Sequence, residues 1–124
     1  MIYKLRTSAE TQEVFAKLGQ LNGLQPYVLS KIAIALSIRK GRLNPEDYKT
    51  DNTGLELNRQ TIFGDTDSIF RSLIFMNEGT TLEDEDYFPK TVKAHLDRGA
   101  HILGEEARYS KNFYVNLCQL DINL

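Results

Sequence analysis

The stretch Gly54–Phe75, G-L-E-L-N-R-Q-T-I-F-G-D-T-D-S-I-F-R-S-L-I-F, combines turn residues, charged side chains and an apolar run. Two glycines bracket a segment in which leucines alternate with polar residues, a pattern that predicts an extended or turn-rich piece. A cap at Asp65 or Thr66 then predicts a helix to about Asn77. Charged side chains between a turn and a core helix need partners. The stretch is therefore either a structural joint or a binding surface.

The composition is that of a single globular domain. The 124 residues are 41% hydrophobic and 26% charged, and we expect one domain over residues 1–124. No apolar run approaches the roughly 18 residues that a membrane span needs. The start, M-I-Y-K-L-R, lacks a signal-peptide core. The single cysteine, Cys118, excludes an internal disulfide and is expected to be a core residue. We expect a cytoplasmic protein without a membrane segment.

The charges are distributed unevenly along the chain. Residues 1–42 carry seven Lys and Arg against two Glu, whereas residues 43–124 carry eight basic side chains against fifteen acidic ones. This asymmetry suggests two faces with different partners, and nucleic acid is the usual partner of a basic face. Solvated lysines without a partner are the alternative.

The N-terminal third predicts an extended arm followed by two helices. Residues 1–6 alternate, and Thr7 with Glu10 forms a capping-box pattern for a helix to about Gly19. An arm followed by two helices also suggests a ribbon that reads DNA bases, with Lys4 and Arg6 pointing outward. This pattern is short and of low specificity.

The second helix is predicted from Pro26, which suits a first helical position, to a stop at Gly41. It is apolar nearly all round, which predicts a central helix or a helix at a subunit interface. Arg39 and Lys40 in its last turn complement the helix dipole. One further turn is expected at Pro45.

The second half predicts further helices. The helix after Asp65 is expected to bury one broad face, which comprises Ile69, Phe70, Leu73, Ile74 and Met76. A fourth helix should run from about Pro89 to Arg108, and its two glycines, each costing about 1 kcal/mol relative to alanine, suggest close approach of another helix. A last helix should begin at Ser110. The prediction is an all-α, oligomeric fold: a compact bundle of about five helices with a short extended N-terminal arm.

The residues provide little support for enzyme chemistry. His95 and His101 are six positions apart, so they lie on nearly opposite sides of a helix and do not form a metal site. The sequence has no phosphate-binding glycine loop, dinucleotide-binding turn or nucleophile elbow. We therefore assign no catalytic residue, metal or cofactor.

Two blocks carry a family resemblance. The run G-L-E-L-N-R-Q-T-I-F-G-D-T-D-S-I-F, with A-H-L-D-R-G at residues 94–99, resembles the DndE family of DNA sulfur modification proteins. The match covers roughly residues 4–104, and the two blocks are moderately specific together. The positions that match the family signature, and for which we favour a structural role, are Glu56, Asn58, Arg59, Gly64, Asp67, Arg98 and Gly99.

The resemblance implies a small all-helical protein that forms a tetramer. It implies membership of the system that replaces a non-bridging oxygen of the DNA backbone with sulfur. A cysteine desulfurase, a sulfurtransferase and an ATPase are the other components. It further implies binding to duplex DNA, with a preference for nicked DNA, through a lysine-rich surface. The phosphate contacts that we select from the charge distribution are Lys4, Arg6, Lys17, Arg39, Lys40 and Arg42.

Three hypotheses follow from the sequence. The first is a non-catalytic, oligomeric DNA-binding and assembly subunit of the sulfur modification system. The second is a scaffold that uses its acidic remainder to bind the sulfurtransferase or the ATPase without binding DNA. The third is a metal-dependent enzyme that nicks DNA.

Overall fold

A two-stranded antiparallel sheet joins the N-terminal arm to the middle of the chain. The computed structural model describes residues 3–109. Strand β1 (Lys4–Arg6) pairs with strand β2 (Glu56–Asn58), and Leu5 lies opposite Leu57. The predicted arm is therefore one strand of a sheet formed within the chain. The fold is mostly helical, and the all-α prediction is corrected by this small sheet.

Gly54 allows the two segments to approach closely. Its N–H donates to the Thr7 carbonyl at 2.9 Å. A Cβ at position 54 would overlap the Ser8 carbonyl oxygen and the Thr7 hydroxyl. The Thr7 hydroxyl also accepts from the N–H of Leu55 at 2.9 Å. Glycine is required here because of a contact with a segment 46 residues earlier, as well as for the entry turn.

Helix α1 (Ala9–Asn22) begins one residue later than the sequence predicts. Ser8 is the capping residue, and its hydroxyl accepts from the Thr11 N–H at 3.1 Å. The predicted cap at Thr7 is wrong because that hydroxyl serves the Gly54 segment. Glu10 does not reach back to the cap, because its carboxylate lies 3.2 Å from His101 Nδ1. The helix also continues past the predicted end, to a left-handed Gly23.

Helix α2 (Pro26–Lys40) is the central helix that the sequence predicts. Pro26 is its first residue, and Gly41 follows its last. It packs against helix α6 (Lys93–Tyr109) and also contacts α1 and the helices of the middle segment. A Cβ at Gly99 of α6 would overlap the carbonyl of Ala33 in α2. The predicted close approach of another helix is confirmed at this crossing.

The segment after β2 is helical rather than extended. It forms helix α3 (Arg59–Phe63), a 3-10 turn (Gly64–Thr66) and helix α4 (Asp67–Glu78). The side chain of Asn58 caps α3 by accepting from the N–H of Gln60 at 2.8 Å. The leucine alternation therefore marks only the strand of three residues. The predicted extended or turn-rich segment is extended over Glu56–Asn58 alone, and the Asn58 cap then turns the chain into a helix.

Helix α4 buries a narrower face than the sequence predicts. Ile74 is fully buried and Phe70 is half-buried. Ile69, Leu73 and Met76 are 58%, 44% and 78% exposed, so their predicted burial is wrong. Only one side of α4 packs against the core. The spacing of Ile69, Leu73 and Met76 places these three residues together on the other side of the helix.

The last described part begins earlier than the predicted fourth helix. Helix α5 (Asp84–Asp86) leads through a π-helical turn (Tyr87–Val92) into α6. The expected turn at Pro45 is present as a 3-10 turn, Pro45–Asp47. The predicted last helix from Ser110 and the environment of Cys118 lie outside the described residues. Within residues 3–109, no helix has the length and apolar character needed to cross a bilayer.

The core lies between α1, α2, α3, α4, the π-helical turn and α6. Its largest fully buried apolar side chains are Phe15, Leu18, Leu29, Ile34, Ile62, Phe63, Ile74, Tyr87, Phe88, Leu96 and Leu103. Phe63 contacts the rings of Phe70 and Phe88, with centroids 4.9 and 6.3 Å apart. The core fixes α2 and α6 against each other, and these two helices position most of the polar contacts described below.

Candidate functional site

Arg59 and Asp67 form a two-point ion pair at the start of α4. Arg59 Nε donates to Asp67 Oδ1 at 2.7 Å, and Nη2 donates to Oδ2 at 2.8 Å. The guanidinium also lies over the Tyr87 ring, 5.0 Å from its centroid. The hydrogen bonds to Asp67 raise the pKa of Arg59. This geometry joins α3, α4 and the π-helical turn.

Gly64 allows the sharp change of direction between α3 and the following turn. Its φ is 48°, in the region that favours glycine. Its N–H donates to the carbonyl of Gln60. Together with the Arg59–Asp67 pair, this turn fixes the angle between α3 and α4.

Arg98 holds the C-terminal end of α2. Its Nε donates to the Ser37 hydroxyl at 2.8 Å, and Nη2 donates to the carbonyl of Gly41 at 2.8 Å and to that of Ser37. The last carbonyls of a helix have no partner within the helix. Arg98 supplies partners from α6 and so fixes the chain where α2 ends.

His95 and Glu78 extend this network into the core. Ser37 Oγ lies 2.8 Å from His95 Nδ1, and His95 Nε2 lies 3.4 Å from Glu78 Oε2. A hydrogen on Nε2 lets His95 donate to the Glu78 carboxylate and accept at Nδ1 from the Ser37 hydroxyl, so this neutral tautomer satisfies both contacts. Burial lowers the pKa of His95, and this effect is only partly offset by Glu78. We call Ser37, Glu78, His95 and Arg98 the Arg98 network.

The Arg98 network has the residue types of a hydrolytic triad but not its accessibility. Ser37 and His95 are both fully buried. A catalytic serine needs an exposed hydroxyl that a substrate can reach. Ser37 also lies in the last turns of α2 rather than on a sharp turn. The arrangement therefore acts as a buried hydrogen-bond network that joins α2, α4 and α6.

Asp97 joins the start of α1 to α6. Its Oδ1 accepts from the Ser8 N–H at 3.1 Å and from the Thr11 hydroxyl at 2.6 Å. Its Oδ2 accepts from the Thr50 hydroxyl at 2.6 Å and from Lys93 Nζ at 2.7 Å. Asp97 is 1% exposed, so these four donors replace the water that a carboxylate needs. This role of Asp97 is not evident from the sequence, where its only local signal is the i,i+4 spacing of Lys93 and Asp97.

The predicted phosphate contacts lie in three places. Lys4 and Arg6 project from β1, each with a charged nitrogen 3.9 Å from a carboxylate oxygen of Glu56. Arg6 also donates to the Gly54 carbonyl at 3.3 Å. Lys17 lies in a groove whose lining includes three glutamates. These neighbours weaken the positive potential at both places.

The third place is the end of α2, where Arg39, Lys40 and Arg42 lie within four residues; we call them the α2 C-terminal cations. Lys40 and Arg42 are exposed and Arg39 is half-buried. Arg42 lines a cavity of about 420 Å³ with Asp47 and Glu78. Since Arg98 holds the neighbouring carbonyls, the two exposed cations extend from a fixed backbone.

Among residues 3–109, no group of three or more His, Cys, Asp or Glu is arranged to hold a metal ion. His95 is buried in the Arg98 network, whereas His101 is exposed beside Glu10.

Comparison with known proteins gives the family. The model of the DNA sulphur modification protein DndE matches residues 4–111. The chain belongs to the DndE family. This match includes both sequence blocks and every side chain of the Arg98 network. The predicted resemblance is confirmed.

Solved structures of DndE share this fold. One is DndE from Escherichia coli B7A involved in DNA phosphorothioation modification, with a TM-score of 0.67, 24% identity, and coverage of 81% of this chain and 96% of that chain. A DndE G21/24K mutant matches with a TM-score of 0.66 and 22% identity, over 82% of this chain and 97% of that chain. No curated protein matches.

Proposed function

We propose that the chain is a non-catalytic, DNA-contacting assembly subunit of the DNA phosphorothioate modification system. The main support for a DNA-contacting role is the pair of exposed cations at the C-terminal end of α2. Lys40 and Arg42 are exposed there, on a backbone held by Arg98 bonds to the carbonyls of Ser37 and Gly41. Phosphate contacts need cations at defined positions, and a fixed helix end supplies them.

The remaining basic residues contribute less to this proposal. Lys4 and Arg6 share the neighbourhood of Glu56, so each adds a partly neutralised charge. Lys17 is left out because Glu10, Glu13 and Glu105 line the same groove and would repel phosphate. Arg42 also has acidic neighbours, Asp47 and Glu78, but Lys40 and Arg42 are exposed on a backbone that Arg98 holds, so the α2 C-terminal cations are the first residues to test.

The test is a mobility shift on nicked and intact duplexes with the variant Lys40→Glu/Arg42→Glu. Arg39 is kept because it is half-buried and its replacement could disturb the fold. The matched control is Lys49→Glu/Lys90→Glu, which makes the same change in net charge at exposed residues that are not part of the α2 C-terminal cations. We expect the first variant to bind at least about tenfold more weakly at low salt, because it loses two phosphate contacts and adds repulsion.

We expect the control to retain most of the affinity. Equal weakening in both variants would show that only net charge matters, and unchanged binding in the first variant would reject the assigned face.

We also propose that the functional unit is a homo-oligomer, with a tetramer as the expected form. The exposed apolar side of α4 supports self-association, because Ile69, Leu73 and Met76 would otherwise face water together. Leu73→Glu should lower the mass measured by light scattering, whereas Thr81→Glu at an exposed residue outside α4 should not. A mass unchanged by Leu73→Glu would exclude this face as the interface.

A scaffolding role is the second candidate, with the sulfurtransferase and ATPase of the same cytoplasmic system as partners. The observation that favours it is the acidic groove between α1 and α6. Two results together would favour scaffolding over DNA contact. The protein would co-purify with the sulfurtransferase or the ATPase, and it would show no affinity for duplex DNA at low salt.

Nicking activity has less support from the described residues. The serine and histidine of the Arg98 network are buried and cannot reach a phosphodiester. Supercoiled plasmid incubated with pure protein and magnesium should stay uncut. A plasmid-relaxing activity that co-purifies with the protein would contradict the non-catalytic proposal.

A further inference from the structure

A groove of about 280 Å³ runs between α1 and α6. Its lining residues come from both helices and are Glu10, Glu13, Val14, Lys17, Leu18, Leu21, His101, Gly104, Glu105 and Ala107. We call it the α1/α6 groove. None of the contacts that hold the Arg98 network or Asp97 lies in it.

The groove has an apolar floor that stays open to water. Val14 is half-buried in this floor, Leu21 at one end is 73% exposed, and the buried Leu18 lies at its base. Gly104 widens the floor, because a Cβ there would lie 2.9 Å from a methyl group of Val14. An exposed leucine that continues an apolar groove indicates a contact surface for another apolar side chain.

The edges of the groove are acidic. Among the described lining residues, Glu10, Glu13 and Glu105 are acidic and Lys17 is basic. His101 lies 3.2 Å from Glu10 at the same edge. The groove therefore combines an apolar floor with a net negative rim, which favours a cationic partner and disfavours a nucleic-acid strand.

We propose that the α1/α6 groove binds a basic amphipathic helix of a partner protein. Apolar side chains on one face of such a helix would cover Val14 and Leu21, and flanking Lys or Arg would meet the rim carboxylates. This charge complementarity identifies a protein segment as the occupant. The proposal goes beyond DNA contact, because the surface differs from the α2 C-terminal cations in both position and charge.

The test uses fluorescence anisotropy with the full-length protein and a labelled amphipathic peptide made of leucine and lysine. A second peptide with the same lysines, and with serine in place of every leucine, measures attraction by charge alone. We expect the leucine-containing peptide to bind at least about tenfold more tightly than the serine-containing one, as expected where a few buried apolar anchors dominate.

Two protein variants localise the binding. Glu13→Lys/Leu21→Lys changes the rim and the exposed end of the floor, at residues that are both exposed. Thr81→Lys/Glu83→Lys makes the same change in net charge at exposed residues outside the groove. We expect the groove variant to bind the leucine-containing peptide at least about tenfold more weakly, and the control to stay within about twofold of the unaltered protein.

Three results would overturn the proposal. The first is failure of the unaltered protein to bind the leucine-containing peptide. The second is equal weakening in both variants, which would indicate attraction by net charge alone. The third is a lower oligomer mass in the groove variant alone, which would make a second copy of this chain the occupant.

The mobility shift on the same two variants separates this inference from the proposed function. We expect the groove variant to keep its affinity for duplex DNA. A protein that binds the peptide in the groove and no DNA would uphold the groove and reject the DNA-contacting role.

Discussion

Asp97→Asn is expected to lower the free energy of unfolding by about 3 kcal/mol, because it removes the buried carboxylate that pairs with the half-buried Lys93 and leaves that cation with neutral acceptors, the Thr50 hydroxyl and the Asp51 carbonyl. Asp97 is 1% exposed and the side chain of Lys93 is 18% exposed, with Nζ 2.7 Å from Oδ2. Asparagine has nearly the same shape, so the substitution changes charge and hydrogen bonding without leaving a cavity.

The magnitude follows from the four donors around the carboxylate. Each oxygen accepts two of them, and asparagine keeps one oxygen and replaces the other with an amide NH₂. The threonine hydroxyl of the affected pair can rotate and accept from the amide, but the Ser8 N–H or Lys93 Nζ then faces another donor. Breaking a buried ion pair costs about 3–5 kcal/mol, and the residual exposure of Lys93 favours the lower end of that range.

The assay is urea unfolding at pH 7, followed by circular dichroism. The matched control is Asp86→Asn, because Asp86 and Lys90 have the same i,i+4 spacing and a 3.1 Å contact but are 46% and 58% exposed. We expect the control to cost less than about 0.5 kcal/mol, as exposed helix pairs do. The reasoning is refuted if the two substitutions cost the same.

Three further outcomes are expected. Gly99→Ala should cost about 3 kcal/mol or more in urea unfolding, because its methyl group would overlap the Ala33 carbonyl; a loss below about 1 kcal/mol would contradict this packing. Burial lowers the pKa of His95 below 6.5, so stability should fall as the pH is lowered from 6.5 toward the folded-state value, and His95→Gln should flatten this dependence in thermal melts; an equal slope in both proteins would contradict it. Hydrogen bonds from Thr53 and from the Ala9 N–H lower the pKa of Asp51 to about 2, so Asp51→Asn should reduce the loss of stability between pH 3.8 and 2; acid unfolding curves that differ by a constant offset would exclude this cause.

Local signals in the sequence predict the positions of the main helices. Pro26 and Gly41 bound α2 because they restrict the backbone on either side of a helix, and this effect depends on neighbouring residues alone. The same holds for the end of α4 at Gly79. The central position of α2 also follows from its sequence, because a helix that is apolar nearly all round must be covered on several sides.

Other features depend on residues that are distant in the sequence. The choice of Ser8 over Thr7 as a cap follows from the contact with Gly54, 46 residues away in the chain. Similarly, apolar residues surround much of α4, and only the tertiary arrangement decides that Ile74 is buried while Met76 is exposed. Periodicity alone does not distinguish the two sides of such a helix.

At the candidate site, too, some features follow from local sequence and others depend on residues that are distant in the chain. The charge pattern locates the α2 C-terminal cations, but it does not show that Glu56 lies beside Lys4 and Arg6. It also does not show that Lys17 lies among glutamates, because the groove forms only when α1 packs on α6. The phosphate contacts stay a prediction.

The salt dependence of DNA binding tests the central claim most directly. Affinity for a nicked duplex would be measured by anisotropy at several salt concentrations, for the unaltered protein and for Lys40→Gln/Arg42→Gln. Each lost phosphate contact should reduce the slope of log affinity against log salt by about 0.9, so the variant should lose about 1.8 per bound chain. A variant whose slope equals that of the unaltered protein would contradict a DNA contact at the end of α2.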